Sequence, residues 1–142
     1  MITVNEIEII FSVPSIEETL AWYERVLGWK GGMDVVGPDG RCDFGGVCAR
    51  EEPMLYIDFS RCKGEAPYQN DPCHLTLLVY VDDVDALYRQ VLENGAQPEG
   101  QPQHQFWGAR TFHLRDLNGL RLHFAQKLED LQGPVLQERY EA

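Results

Sequence analysis

The chain repeats one piece of grammar, and that repetition limits its folds more than any other feature. Residues 7–13 read Ile-Glu-Ile-Ile-Phe-Ser-Val, a strand-like run, and are followed by Pro-Ser-Ile-Glu-Glu-Thr-Leu-Ala-Trp-Tyr-Glu-Arg-Val-Leu-Gly. Ser15 and Glu18 form a capping box, each satisfying an orphan backbone donor, so a helix begins near Ile16. Ile16, Leu20, Tyr23 and Leu27 fall on one stripe for packing against a sheet, and Gly28 suits the left-handed residue that closes a helix.

Residues 75–95 repeat the pattern, with Asp83 as cap, Val84, Tyr88 and Val91 as stripe, and Gly95 as stop. Val13 and Val81 are 68 residues apart and Gly28 and Gly95 are 67 apart, which points to an internal duplication. After each helix the chain turns strand-like and glycine-rich. In the first half, the turn residues Gly37, Pro38, Asp39 and Gly40 precede strands at 42–49 and 54–59. In the second half, strands at 110–115 and 120–126 flank a tight hairpin at Asp116, Leu117, Asn118 and Gly119.

The predicted fold class is therefore α+β, two β-α-β-β-β modules in a single domain over 1–142. Module one covers about 5–60, a linker without periodicity about 60–73, module two about 74–126, and a tail 127–142. The tail, broken by Gly133 and Pro134, is left between a short helix on a partner and a loose end.

Composition excludes several functions. The formal charge of −11, from 23 acidic and 12 basic residues, repels a phosphate backbone, so nucleic acid is not an expected partner. The apolar runs fall short of the roughly 18 residues a membrane span needs, and the N-terminus lacks the basic start and apolar stretch of a secretory signal. A cytoplasmic location with no membrane association is the expectation. Cys42, Cys48, Cys62 and Cys73 show no C-x-x-C spacing and read as free thiols. Neither a nucleophile elbow nor a phosphate loop is present.

The segment from Val13 to Gly28, with Trp22, Tyr23, Leu27 and Gly28, resembles the first helix of the vicinal-oxygen-chelate proteins, the superfamily of glyoxalases, bleomycin-resistance proteins and dioxygenases. The run from Phe106 to Phe112, leading to Arg115, Asp116, Leu117, Asn118 and Gly119, resembles their last hairpin. Trp107 and Gly108 before it, with Leu122, His123 and Phe124 after it, come closest to the bleomycin-resistance branch. The resemblance implies sheets curved into an open barrel with a cleft, and a homodimer whose cleft draws on both chains. In metal-dependent members the ligands come from the first and last strand of each module, which map here to Glu8, Asp58, Thr76 and His123.

That set departs from the family's enzymes, because a catalytic divalent ion wants about three strong protein ligands and Thr76 is a poor one. Glu8, Asp58 and His123 remain as a carboxylate-rich set for Mn, Fe, Ni or Zn. Strand alternation adds Ile10, Ser12, Tyr56, Leu78, Tyr80 and Arg121 to the cleft face, together with Thr111, His113 and Arg115, or else Phe112 and Leu114 if the register slips. Phe106 and Trp107 lie on a loop, where large aromatics fit either a flat ligand or a dimer contact. His123, between Leu122 and Phe124, has a hydrogen-bonded wall residue as its commoner role. His74 and His104 read as solvated loop-edge residues.

The first functional expectation is a protein that sequesters a small molecule, aromatic and cationic in keeping with the acidic charge, with no metal or other cofactor. Its candidate contacts are Glu8, Tyr56, Asp58, Thr76, Phe106, Trp107, His113, Arg121 and His123. The alternative is a metal-dependent lyase, isomerase or dioxygenase in which Glu8 moves a proton. A third is an accessory subunit that uses the fold only as a partner surface.

Overall fold

Ser15 and Gly28 bound the first helix as their chemistry requires. In the computed structural model, which describes residues 1–62 and 76–130, the Ser15 hydroxyl accepts the Glu18 N–H at 3.2 Å. At the other end Gly28 takes φ 73°, a conformation that strains any residue with a Cβ, and Trp29 N–H closes onto the Tyr23 carbonyl at 3.3 Å. The helix, α1, runs Ile16–Leu27 and buries Ile16, Leu20, Tyr23 and Leu27, the stripe expected from the sequence, along with Thr19 and Val26. The chain divides into two compact units, Met1–Gln69 and Asn70–Ala142, with the division inside the segment expected as a linker.

In the first unit, strands β1 (Ile10–Val13), β2 (Lys30–Val36), β3 (Cys42–Arg50) and β4 (Leu55–Arg61) form one sheet in the order β1-β4-β3-β2. β1 lies parallel to β4, and the other pairings are antiparallel. Alternation gives the sheet two unlike faces. One face turns Phe11, Val13, Val47 and Phe59 to the helix, and Tyr23 packs its ring 5.5 Å from Phe59 and 5.7 Å from Trp29. The other face carries Ile10, Ser12, Tyr56 and Asp58.

The second unit repeats this plan with β5 (Thr76–Tyr80), α2 (Val84–Glu93), β6 (Glu99–Gln105), β7 (Ala109–Arg115) and β8 (Arg121–Lys127), then a 3-10 turn at Leu128–Asp130. Its sheet order, β5-β8-β7-β6, is that of the first sheet, and β5 again lies parallel to its neighbour. Asp83 caps α2 through the Ala86 N–H at 2.9 Å, and buried Gln126 accepts the Val84 N–H at 3.0 Å, which docks the helix start on β8. Asp85 on α2 holds Arg110 with two bonds of 2.9 Å. Val84, Val91, Phe112, Leu114, Leu122 and Phe124 fill the space between helix and sheet. Between β7 and β8, Asp116 Oδ1 accepts from the Asn118 and Leu120 N–H groups at 2.8 and 2.9 Å, and Gly119 takes φ 88°.

Three expectations are corrected. The first strand is shorter, beginning at Ile10 rather than Ile7, so Glu8 precedes it. β4 continues through Ser60 and Arg61, into the segment read as linker. Arg61 is held there by Asp43 at 2.7 Å and Asp39 at 2.9 Å, which ties the strand end to the turn between β2 and β3. His104 is a half-buried member of β6 rather than a loop-edge residue. Of the two registers expected for β7 the first holds: Phe112 and Leu114 face the helix, and Thr111, His113 and Arg115 belong to the opposite face. Cys42, Cys48 and Cys62 are free, while Cys73, His74 and the tail beyond residue 130 lie outside the described residues. No helix among the described residues is long and apolar enough to cross a membrane.

Candidate functional site

Each sheet leaves one face without a helix, and the candidate residues gather there, unit by unit. In the first unit the register sets Ile10 against Asp58 and Asp58 against Gly46. A Cβ at Gly46 would sit 2.8 Å from Asp58 Oδ1, so the bare backbone of β3 is what lets that carboxyl lie in the sheet. Asp58 is only 7% exposed, and burial, followed by the negative charges of Glu8 and Asp34, pushes its carboxyl above the usual range. The Tyr56 hydroxyl donates to Glu8 Oε1 at 3.1 Å, and this bond to a carboxylate raises the phenol's pKa and keeps it protonated. An open groove of about 440 Å³ runs over Asp58, with Lys30, Asp34, Cys48, Met54 and Tyr56 along it. The sequence brought Glu8, Tyr56 and Asp58 to this site; it missed Asp34 and Lys30, which stand on a strand with no apolar alternation.

In the second unit, His113 and His123 are direct partners across β7 and β8, their rings edge to face with centroids 3.8 Å apart. Arg121 Nη2 lies 2.6 Å from His113 Nδ1. A guanidinium only donates, so Nδ1 must accept and the His113 proton resides on Nε2. Burial, followed by the nearby His113 and Arg121, pushes His123 down to about 4, and burial with Arg121 lowers His113 as well; both rings are neutral at pH 7. Glu99 on β6 accepts from Arg115 Nε at 2.6 Å and lies 3.9 Å from Arg121 Nε. Trp107, in the turn between β6 and β7, stands edge-on to His123 with centroids 6.0 Å apart. Phe106 beside it is 85% exposed. Thr76 lies opposite Arg121 at the start of β5, and its side is exposed. Glu99 is the functional neighbour the sequence did not reveal.

Among the described residues no group of three or more His, Cys, Asp or Glu side chains gathers as ligands. The imidazoles of the second unit have an always-charged guanidinium against them, which opposes a second cation. Glu8 is engaged by Tyr56, and Thr76 supplies only a weak hydroxyl donor.

The fold has relatives. A glyoxalase-related enzyme from Clostridium phytofermentans is 25% identical, with a TM-score of 0.72 over 89% of this chain and 97% of that one. TnmS3, an antibiotic binding protein from Streptomyces sp. CB03234, is 26% identical, with a TM-score of 0.64 over 88% and 98%. TioX from Micromonospora sp. ML1 shares the fold at 19% identity and a TM-score of 0.62, over 87% and 100%. No curated protein matches the sequence. The sequence model of the Glyoxalase/Bleomycin resistance protein/Dioxygenase superfamily matches residues 4–124, and the chain belongs to that superfamily.

Proposed function

We propose that this chain captures a small planar molecule on its open sheet faces and holds it without a metal ion and without chemical change. The observation that carries this reading is the contact between Arg121 and His113 beside His123: a permanent cation and two neutral imidazoles make a recognition surface rather than a ligand set. Trp107 and Phe106 add exposed aromatic area beside it, the kind of surface on which flat ligands stack. The likeness to TnmS3 supports the same reading. A screen of planar small molecules by tryptophan fluorescence, repeated after chelator treatment, tests it. Saturable quenching unaffected by EDTA is the expected result, and quenching that vanishes with EDTA and returns with Mn, Ni or Zn overturns it.

The second reading is a metal-dependent lyase, isomerase or dioxygenase with Glu8 as proton carrier. It draws on the likeness to the glyoxalase-related enzyme and on the raised carboxyl of Asp58, since perturbed carboxyls cluster at catalytic sites. Stoichiometric metal in protein purified without chelator would put it first. A homodimer belongs to the main reading: Ile10, Tyr56, Leu78, Tyr80 and Phe106 are exposed, and a second copy would cover them. Light scattering at micromolar concentration should give twice the chain mass.

A further inference from the structure

Resting on that binding reading, the second unit says what its ligand must carry. His113 Nε2, Arg121 Nε and His123 Nε2 are buried side-chain nitrogens without a hydrogen-bond partner among the described residues. Two of them are donors without choice. Arg121 has only N–H groups, and the contact of its Nη2 with His113 Nδ1 leaves the His113 proton on Nε2. The third can become one, because a neutral His123 takes either tautomer and an acceptor oxygen beside it selects the form protonated on Nε2. Buried donors left unpaired cost free energy comparable to a lost hydrogen bond, so the cluster is built for an acceptor it does not itself contain.

The charge of this face agrees. By strand alternation it carries, among the described residues, Arg115, Arg121 and Lys127 against one carboxylate, Glu99, and Lys127 Nζ lies 5.8 Å from the Tyr80 ring on the same side. Glu99 is bonded to Arg115 at 2.6 Å and lies 3.9 Å from Arg121 Nε, so two guanidiniums share one carboxylate and positive charge is left in excess beside the imidazoles. The face is therefore cationic although the chain as a whole bears −11. Screening confines the distant acidic charge to about 8 Å at physiological ionic strength, so donors in direct contact decide which ligand fits.

We infer that the open face of the second sheet is an oxyanion subsite, where His113, Arg121 and His123 receive an ionised carboxylate or phenolate oxygen of a planar ring laid beside Trp107. The ligand class is thus an aromatic or conjugated acid, opposite in sign to the cation that the overall charge suggests.

Three naphthalene probes test it on the full chain: 2-naphthoate, neutral 2-naphthamide and cationic 2-naphthylmethylamine, each titrated while the imidazole nitrogens are followed by NMR. The naphthoate should shift the His113 and His123 signals and quench Trp107, the amine should do neither, and the amide should bind more weakly than the acid. Arg121→Gln, close in length and uncharged, should weaken naphthoate binding by about tenfold or more, the size of losing a charge-assisted bond. Arg121→Lys, which keeps the charge but not the fork, should recover only part of it. If the amine binds as well as the acid, the oxyanion assignment is wrong while small-molecule capture stands. If none of the three perturbs the imidazoles the assignment is also wrong, and a silent fluorescence screen would remove the capture reading with it.

Discussion

His113 and His123 stand edge to face with ring centroids 3.8 Å apart, on adjacent strands of one sheet. Two imidazoles so close, with Arg121 against one of them, cannot both accept protons without facing like charges. Burial of the ring first, and then these neighbouring charges, let His123 take its proton only near pH 4 when folded, against about 6.5 when unfolded. Between those values the unfolded chain binds more protons, so stability should fall as pH drops from about 6.5 towards 4, by at most about 1.4 kcal/mol per pH unit for one group. Urea denaturation of wild type and His123→Gln at pH 7.5 and pH 5 checks this. The variant should lose less stability on acidification, and parallel losses would rule out the neutral pair.

Asp58 works in the opposite sense. Its carboxyl titrates above the usual value, so ionisation at pH 7 costs the folded state something it does not cost the unfolded one. Asp58→Asn, nearly the same shape, should raise stability at pH 7. The gain should close as pH falls towards the unfolded carboxyl's own pKa, where both forms are neutral. Thermal melts at pH 7 and pH 4 measure it.

Asp116 organises the last hairpin with one oxygen. Because its Oδ1 accepts from both Asn118 and Leu120 in a buried turn, Asp116→Ala strands two donors and should cost about 1–3 kcal/mol. Asp116→Asn keeps an acceptor oxygen and should cost less. Chemical denaturation of the two variants side by side distinguishes a hydrogen-bonding role from a merely steric one.

Trp107 is 40% exposed and belongs to a turn, so the fold does not depend on it. Trp107→Ala should leave the melting temperature within a degree or two of wild type, since surface changes stay small. Ligand affinity should fall by about 1–3 kcal/mol, the usual loss for a buried aromatic contact. Calorimetry of both proteins with a ligand from the fluorescence screen separates the two effects.

The helices were legible because each carried two independent signals, a cap and a stripe: Ser15 with Ile16, Leu20 and Tyr23, then Asp83 with Val84 and Val91. β6 was not legible. Its sequence, Glu-Gly-Gln-Pro-Gln-His-Gln, has no apolar alternation, and only its pairing with β7 makes it a strand. Glu99, opposite His113, was hidden for that reason. His113, Arg121 and His123 could be placed on one face by counting in twos from either side of the Asp116 turn. Their mutual bonding could not, because which nitrogen meets which depends on a separation across strands that no local pattern encodes.

Gly46 has a consequence for how this sheet can change over time. A Cβ there would meet both Asp58 Oδ1 and the backbone carbonyl of Ile57 at 2.8 Å, so no change at 58 alone makes room for a side chain at 46. Related sequences that keep this strand pairing should therefore hold glycine at 46 whatever residue stands at 58.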